Sequence, residues 1–347
     1  MDIEAGLRAQ LLSQINASWM TGAVHAACRL RIPEHLMPGP RSVTALAAAS
    51  ACHPSSLWRL LRALVSLNLC SEGDDGAFAL TQAGALLLED HPRSLRAWAM
   101  LCGSVHLTRW GELDECVRSG LSYHVRHAGE DNFIHLNGNA EGATLFNRAM
   151  IELTRSVAED LLRAVDLGHA RRVVDVGGGS GALLSAVLVA YPAATGVLFD
   201  LAHAIGSAGA EMARAGVARR CELVAGSFFD DAVPAGGDVY LLKSVLHNWD
   251  DVRCAHLLGN CHRAMPPGAR LLVVERIVPD RLGQSERDRS ICRSDLNMLS
   301  ALSGRERREA EFQVLLAQAG LTVASVTATA GEFSVIDAIA DELASEP

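Results

Sequence analysis

The stretch VVDVGGGSGALLSAVL, residues 173–188, decides how the rest of the chain is read. A β-branched run (Val173, Val174, Val176) leads directly into glycines at 177, 178, 179 and 181, and an apolar run of helical character follows. A strand that turns through glycines into a helix lets bare backbone approach a ligand at the helix N-terminus. The spacing Gly177, Gly179, Ala182 fits the dinucleotide fingerprint in the variant that ends in alanine, so the loop alone does not choose between ligands.

Two carboxylates shift the choice toward S-adenosylmethionine (SAM). Asp175 lies just before the glycines, where a pyrophosphate would be repelled and an aminoacyl ammonium group would be welcome. Asp200 ends the next β-type run, where an acid can take both ribose hydroxyls. Other roles remain open for each: Asp175 as a cap of the following turn, Asp200 as a solvated strand end.

Around this loop the segments RRVVDV (171–176), TGVLFD (195–200), CELVAG (221–226), DVYLLK (238–243), RLLVVE (270–275), LTVASVT (321–327) and FSVIDAI (333–339) read as strands, most of them separated by helical patterns. That alternation predicts an α/β fold: a Rossmann-like, mostly parallel sheet with helices on both faces. The closeness of the last two strands predicts an antiparallel edge.

The N-terminal part reads differently. After an amphipathic opening (Leu7, Leu11, Leu12, Ile15, Trp19) come a helix from about Thr44, a break at His53-Pro54, a helix carrying Leu57, Leu60, Leu61 and Leu64, and two short strands around GDDG. This is a winged-helix order, for which DNA binding is the sharp reading. Residues 1–100 hold eight arginines and eight acids, and the second helix offers only Arg59 and Arg62 among leucines. Phosphate binding needs a basic stripe, so nucleic acid is not expected, and a mostly α packing or dimerisation module suits the segment better. We therefore expect a winged-helix-like domain over 1–100, a helical connector over 101–165 contributing to a substrate pocket, and the cofactor domain over 166–347.

Composition narrows the class. The 347 residues are 49% hydrophobic and 20% charged with a formal net charge of −9, too apolar for a disordered chain. No uninterrupted apolar run reaches about 18 residues, so no membrane span is expected. The start MDIEAGLRAQ carries acids where a signal peptide carries bases, which leads us to expect a cytoplasmic protein. Nine cysteines without a CxxC pair read as incidental thiols, and the pair His124, His127 lacks a third ligand, so no metal is expected. Of the 31 Lys+Arg residues, only Lys243 is lysine.

With these pieces in view, the chain resembles the SAM-dependent O-methyltransferase family that includes plant caffeate-type and bacterial polyketide-tailoring enzymes. The matching segments are VVDVGGGSG (173–181), LFDLA (198–202), GSFFD (226–230), LLKSVLHNWDD (241–251), VVERIVPD (273–280), DLNML (295–299) and GRERREAEF (304–312), of which the LKxVLHxW block is the specific one. The winged-helix-like part extends the likeness over nearly the whole chain. The resemblance implies a homodimer with interlocked N-terminal domains. It implies a cofactor site of Asp175, Gly177, Gly179, Gly181, Asp200, Gly226, Ser227, Phe228, Phe229 and Lys243. Within it Gly177 would lie against the aminoacyl part, Asp200 on the ribose, and Phe228 and Phe229 on the adenine. Ser227 stands where the family usually has an aspartate that meets the adenine amine; a hydroxyl carries no charge there, which would lower cofactor affinity.

Methyl transfer from a sulfonium is an in-line displacement, so an enzyme must align the acceptor and leave it deprotonated as it attacks. A phenol of pKa about 10 is neutral at pH 7, and an imidazole of pKa about 6.5 can take its proton. The resemblance makes His247, just beyond DVYLLK, that base, with Glu275 and Glu306 as flanking acids; the alternative for the two acids is ion pairing with Arg276 or Arg307. It also implies an aromatic acceptor of secondary or antibiotic metabolism, met by Trp110, Phe146, Asn147, Met150, Asp295 and Met298, residue types that equally suit plain core. Two rival functions stay open: the same fold with N- or C-methylation or a reaction without methyl transfer, and a winged-helix regulator that senses a small molecule.

Overall fold

The computed structural model describes residues 3–129, 139–302 and 304–340. It divides into two compact units, Met1–Gly111 with Thr144–Leu153, and Glu112–Ala143 with Thr154–Pro347.

In the first unit the helices Ile3–Ile15, Ala17–Arg29, Ile32–Leu36, Val43–Ser50 and Pro54–Ser66 precede two strands, β1 (Cys70–Glu72) and β2 (Phe78–Leu80), which pair antiparallel. The expected helix, turn, helix, hairpin order is present. Ser42 caps Val43–Ser50 by accepting the Ala45 N–H, and Pro54 opens the next helix at a position where a missing N–H does no harm. Ile32, Leu36, Leu46, Leu57, Leu61, Leu64 and Phe78 close a core of their own. The opening helix and the residues after it leave Leu7, Leu11, Leu12, Ile15 and Trp19 exposed. Between Cys102 and His106 the backbone widens into a π-helical turn.

In the second unit seven strands form one sheet: β3 (Arg172–Val176), β4 (Thr195–Asp200), β5 (Cys221–Ala225), β6 (Val239–Lys243), β7 (Arg270–Glu275), β10 (Leu321–Ala328) and β11 (Ser334–Ala340), in the order β10-β11-β7-β6-β3-β4-β5. All seven predicted strands are there. β3 to β7 run parallel, and β11 and β10 add antiparallel at one edge as anticipated. Side chains alternate between the faces, as a period of two requires: Val174, Val176, Leu242 and Val273 join one core cluster, Val173, Leu241, Leu272 and Val274 the other. Two further strands escaped the sequence reading. β8 (Ile277–Val278) pairs parallel with β9 (Arg307–Arg308), a contact too short to leave a periodic signal. All nine cysteines are free thiols, and no described helix is long and apolar enough to cross a membrane.

Candidate active site

The carboxyl ends of the parallel strands gather the predicted side chains, the place where open α/β sheets present ligand sites. At the turn after β3, Gly177 adopts φ +70, and a Cβ there would lie 2.9 Å from Val245 Cγ2 and 3.4 Å from Phe228 Cε1. At Gly178 a Cβ would fall 2.4 Å from Asp175 Cγ. The loop is therefore shaped to lay backbone directly over the Asp175 side chain.

Asp175 is 1% exposed, and among the described residues neither carboxylate oxygen finds a hydrogen-bond partner of ordinary geometry. Burial pushes its pKa up to about 7, the charge of Asp200 pushes the same way, and Lys243 and the Leu184 amide oppose. A buried carboxylate left this way calls for a cationic partner. Asp200 is also raised by burial, against the pull of the Leu201 and Gly179 amides, which donate to its two oxygens at 2.7 and 2.8 Å. Lys243 ends β6 with its Nζ donating to Thr154 Oγ1 at 3.1 Å and lying 5.6 Å over the Phe333 ring. Burial first, then the neighbouring Arg276, lowers its pKa to about 8, while Glu275 and Asp175 hold it up. The ammonium thus has the nearby acceptor that a compact cation suits.

Beyond β5, Gly226 packs against the Phe199 ring. Ser227 organises the following turn: its Oγ donates to Asp230 Oδ2 at 2.9 Å and accepts from the Phe229 N–H at 3.2 Å, while its own N–H donates to Asp231 Oδ2 at 2.8 Å. Phe228 and Phe229 meet edge-on with centroids 4.8 Å apart, and Trp249 closes on Phe229 at 5.0 Å. An aromatic wall therefore stands beside the glycine loop.

His247 lies on the short helical turn that follows β6. Ser244 takes a left-handed φ of 54, a costly conformation for a residue with a side chain. Beyond it, three successive N–H groups converge: Val245, Leu246 and His247 donate to Glu275 Oε1 at 2.9, 2.9 and 3.3 Å. Glu275 is buried at the end of β7, and its Oε2 lies 3.5 Å from His247 Nδ1. Glu306 Oε1 lies 3.1 Å from the same nitrogen and accepts from Ser294 Oγ at 2.6 Å. Burial works against the imidazolium, but the two carboxylates prevail and the His247 pKa is raised. Burial raises Glu275 further than the imidazole lowers it, whereas Glu306, answered by His247, Ser294 and Arg276, is lowered. Both acids address Nδ1, and among the described residues Nε2 has no hydrogen-bond partner, so Nε2 is the atom placed to meet a substrate proton.

The alternative of arginine pairing holds only in part: Glu306 Oε1 lies 3.9 Å from Arg276 Nη1, whereas among the described residues neither acid pairs with Arg307 and Glu275 pairs with no arginine. Arg307 is wholly buried and donates to the Leu246 and Trp249 carbonyls at 2.8 and 2.7 Å and to Asp251 Oδ1 at 2.8 Å. It clamps the loop bearing His247, a role the sequence reading missed. The same holds for Gly304, where a Cβ would lie 2.1 Å from the His247 carbonyl oxygen, and for Ser294. The segment GRERRE carried the signal: a glycine that lets two backbones touch, then an acid just before β9 and an arginine as its first residue. The nitrogen of His247 and the oxygens of both acids lie within 4.8 Å of one another, a group whose size would admit a metal ion. Three amides already engage Glu275 and a hydroxyl engages Glu306, an arrangement suited to handling a proton.

Of the acceptor-side candidates, Asp295 and Met298 lie on the helix Glu286–Leu302. Asp295 accepts the Glu306 N–H at 2.8 Å, so it supports the acid flanking the imidazole, and Met298 is 7% exposed. Trp110, Phe146, Asn147 and Met150 belong to the first unit. Phe146 and Met150 pack there with Trp98, Leu101 and Ala149, the plain-core alternative for those two. The pair His124, His127 is likewise placed: His127 Nε2 meets Glu112 Oε2 at 2.8 Å, and His124 is buried.

Residues 110–322 match the family model of an O-methyltransferase domain, and residues 12–90 that of an O-methyltransferase dimerisation domain. The chain is 36% identical to a phenazine O-methyltransferase of Lysobacter antibioticus over 94% of its own length and 95% of the relative's. It is 33% identical to an aclacinomycin 10-hydroxylase of Streptomyces purpurascens, with 93% and 88% covered. The crystal structure of human N-acetylserotonin methyltransferase in complex with SAM superposes with a TM-score of 0.89 at 27% identity, over 99% of each chain.

Proposed function

The chain belongs to the O-methyltransferase family, and from that premise we propose that it methylates a hydroxyl on an aromatic small molecule of secondary metabolism, with SAM as donor and His247 as general base. The observation that carries the reading is His247 itself: buried on the loop after β6, its Nδ1 held by two buried acids and its Nε2 free of partners among the described residues.

The residues at the strand ends fit SAM. The unpartnered Asp175 carboxylate suits the aminoacyl ammonium, Asp200 the ribose hydroxyls, the Phe228 and Phe229 wall the adenine, and Lys243 the adenosine side. Ser227 faces Asp230, so the charge that family members place at its position is supplied next to it in the turn. When bound, SAM supplies an electrophilic methyl group on a sulfonium. The protein's own contribution is to the acceptor. His247 Nε2 takes the hydroxyl proton as the oxygen attacks, and Glu306 and Glu275 fix the tautomer and stabilise the imidazolium that results.

The exposed row Leu7, Leu11, Leu12, Ile15 and Trp19 and the match to a dimerisation domain support a homodimer built through the N-terminal unit. The similarity to an aclacinomycin 10-hydroxylase favours one second reading, the same fold acting without methyl transfer. Incubation with SAM labelled in its methyl group separates the two: label in the product supports O-methylation, and an unlabelled, modified product supports the second reading. An unaltered rate in His247→Ala would overturn base catalysis at this residue.

A further inference from the structure

A histidine flanked by two carboxylates has a chemical difficulty: the acids that stabilise the imidazolium after proton transfer also favour it beforehand, and a protonated imidazole cannot act as a base. A fixed cation close by relieves this. Arg276 leaves β7 directly after Glu275 and is held on three sides. Its Nε and Nη2 donate to Glu332 Oε2 at 3.1 and 3.0 Å, and its Cζ lies 4.3 Å over the Phe333 ring. Its Nη1 lies 3.9 Å from Glu306 Oε1, the oxygen that meets His247. Glu332 is itself anchored by a hydrogen bond from Ser290 Oγ. The Arg276 side chain is 17% exposed, so solvent screens its charge only in part.

The charged groups facing the imidazole are Glu275 and Arg276 from β7 and its extension, Glu306 from the approach to β9, Arg307 through the Leu246 carbonyl, Asp295 through the Glu306 amide, and Lys243 at the end of β6. Arg276 is the cation whose charge opposes the imidazolium, and it also helps hold Glu306 ionised. We propose that Arg276, clamped between Glu332 and Phe333, is a positioning residue that holds the Glu306 carboxylate beside His247 and limits how strongly the two acids favour the imidazolium over the proton-accepting imidazole. The inference rests on the reading of His247 as the base.

The test reads the imidazole directly and needs no acceptor. Full-length protein with histidine carbon-13 labelled at Cε1 is titrated by NMR, and the His247 resonance is assigned by its loss in His247→Gln. Arg276→Gln should move the His247 midpoint up by about one unit, and Arg276→Lys, which keeps the charge, should leave it near wild type. If Arg276→Gln does not fold, Arg276→Met, which keeps an apolar stem over Phe333, carries the same expectation. An unmoved midpoint in a folded neutral variant would overturn the proposal, and so would a lysine variant that titrates like the glutamine one. Methyl transfer is not the readout, so failure here leaves the assignment of His247 as base to its own test.

Discussion

Replacing Gly304 by alanine probes how the acid beside the imidazole is held. A Cβ at this position would lie 2.1 Å from the His247 carbonyl oxygen and 2.8 Å from the Asn248 carbonyl carbon. Carbon–oxygen contacts settle near about 3.3 Å, so the two backbones must part by roughly 1.2 Å. The hydrogen bond from Arg305 N–H to the His247 carbonyl, 2.9 Å long, is stretched or lost, and Glu306, the next residue, moves with it. A displacement of about 1 Å at a catalytic contact is worth about 100-fold in rate, and that is the expected fall in kcat. Stability should suffer less, by the roughly 1–3 kcal/mol of an overpacked site, with a melting temperature several degrees lower. SAM affinity should stay near wild type, because Asp175, Asp200 and Lys243 do not touch this contact. Initial rates of methyl transfer from labelled SAM to a phenolic acceptor, beside a thermal melt and a SAM titration, provide the readout. A Gly304→Ala enzyme with wild-type kcat would refute the idea that backbone contact sets the Glu306 position.

Other substitutions test separate parts of the site. Glu306→Gln removes a carboxylate that raises the His247 pKa, so the acid limb of the kcat/KM profile should move to lower pH while the plateau falls; a limb displaced upward would contradict the assignment. Lys243→Arg replaces a buried ammonium seated 3.1 Å from Thr154 Oγ1 with a larger planar group, and calorimetry should show SAM binding weakened several-fold. An unchanged dissociation constant would reduce the lone lysine to compositional accident. Ser227→Asp brings a third carboxylate beside Asp230 and Asp231, so it should not tighten SAM binding alone but should do so together with Asp230→Asn; tighter binding by the single variant would show that Asp230 does not stand in for the missing charge.

The strands and the glycine turn were readable because they repeat simple physical rules. Alternation along Val173, Val174, Asp175 and Val176 serves two buried faces, and Gly178 is required where a Cβ would strike Asp175. His247 and its two acids could be named from the resemblance, but their geometry could not be read. Glu275 is held by three amides that converge only because Ser244 turns left-handed, and no residue preference announces a serine in that conformation. Glu306 reaches Nδ1 from the residue just before a two-residue parallel pairing, which is below the length at which periodicity is visible. Arg307 could be named only as a possible ion-pair partner for the two acids, yet it is wholly buried and ties down two carbonyls of the His247 loop. Met150 and Phe146 show a different limit: apolar types alone do not separate a pocket wall from core, and these two are partly buried against Trp98, Leu101 and Ala149.

The central claim is that His247 removes the proton from an aromatic hydroxyl as that oxygen accepts a methyl group. It is tested most directly by product mass spectrometry with methyl-labelled SAM and a phenolic acceptor, comparing wild type with His247→Gln at equal SAM occupancy. The account predicts labelled methyl on the acceptor oxygen in wild type and a loss of about 10²–10⁴-fold in the variant, the range of general base catalysis. Label on carbon or nitrogen, no label at all, or an undiminished rate in the variant would contradict it.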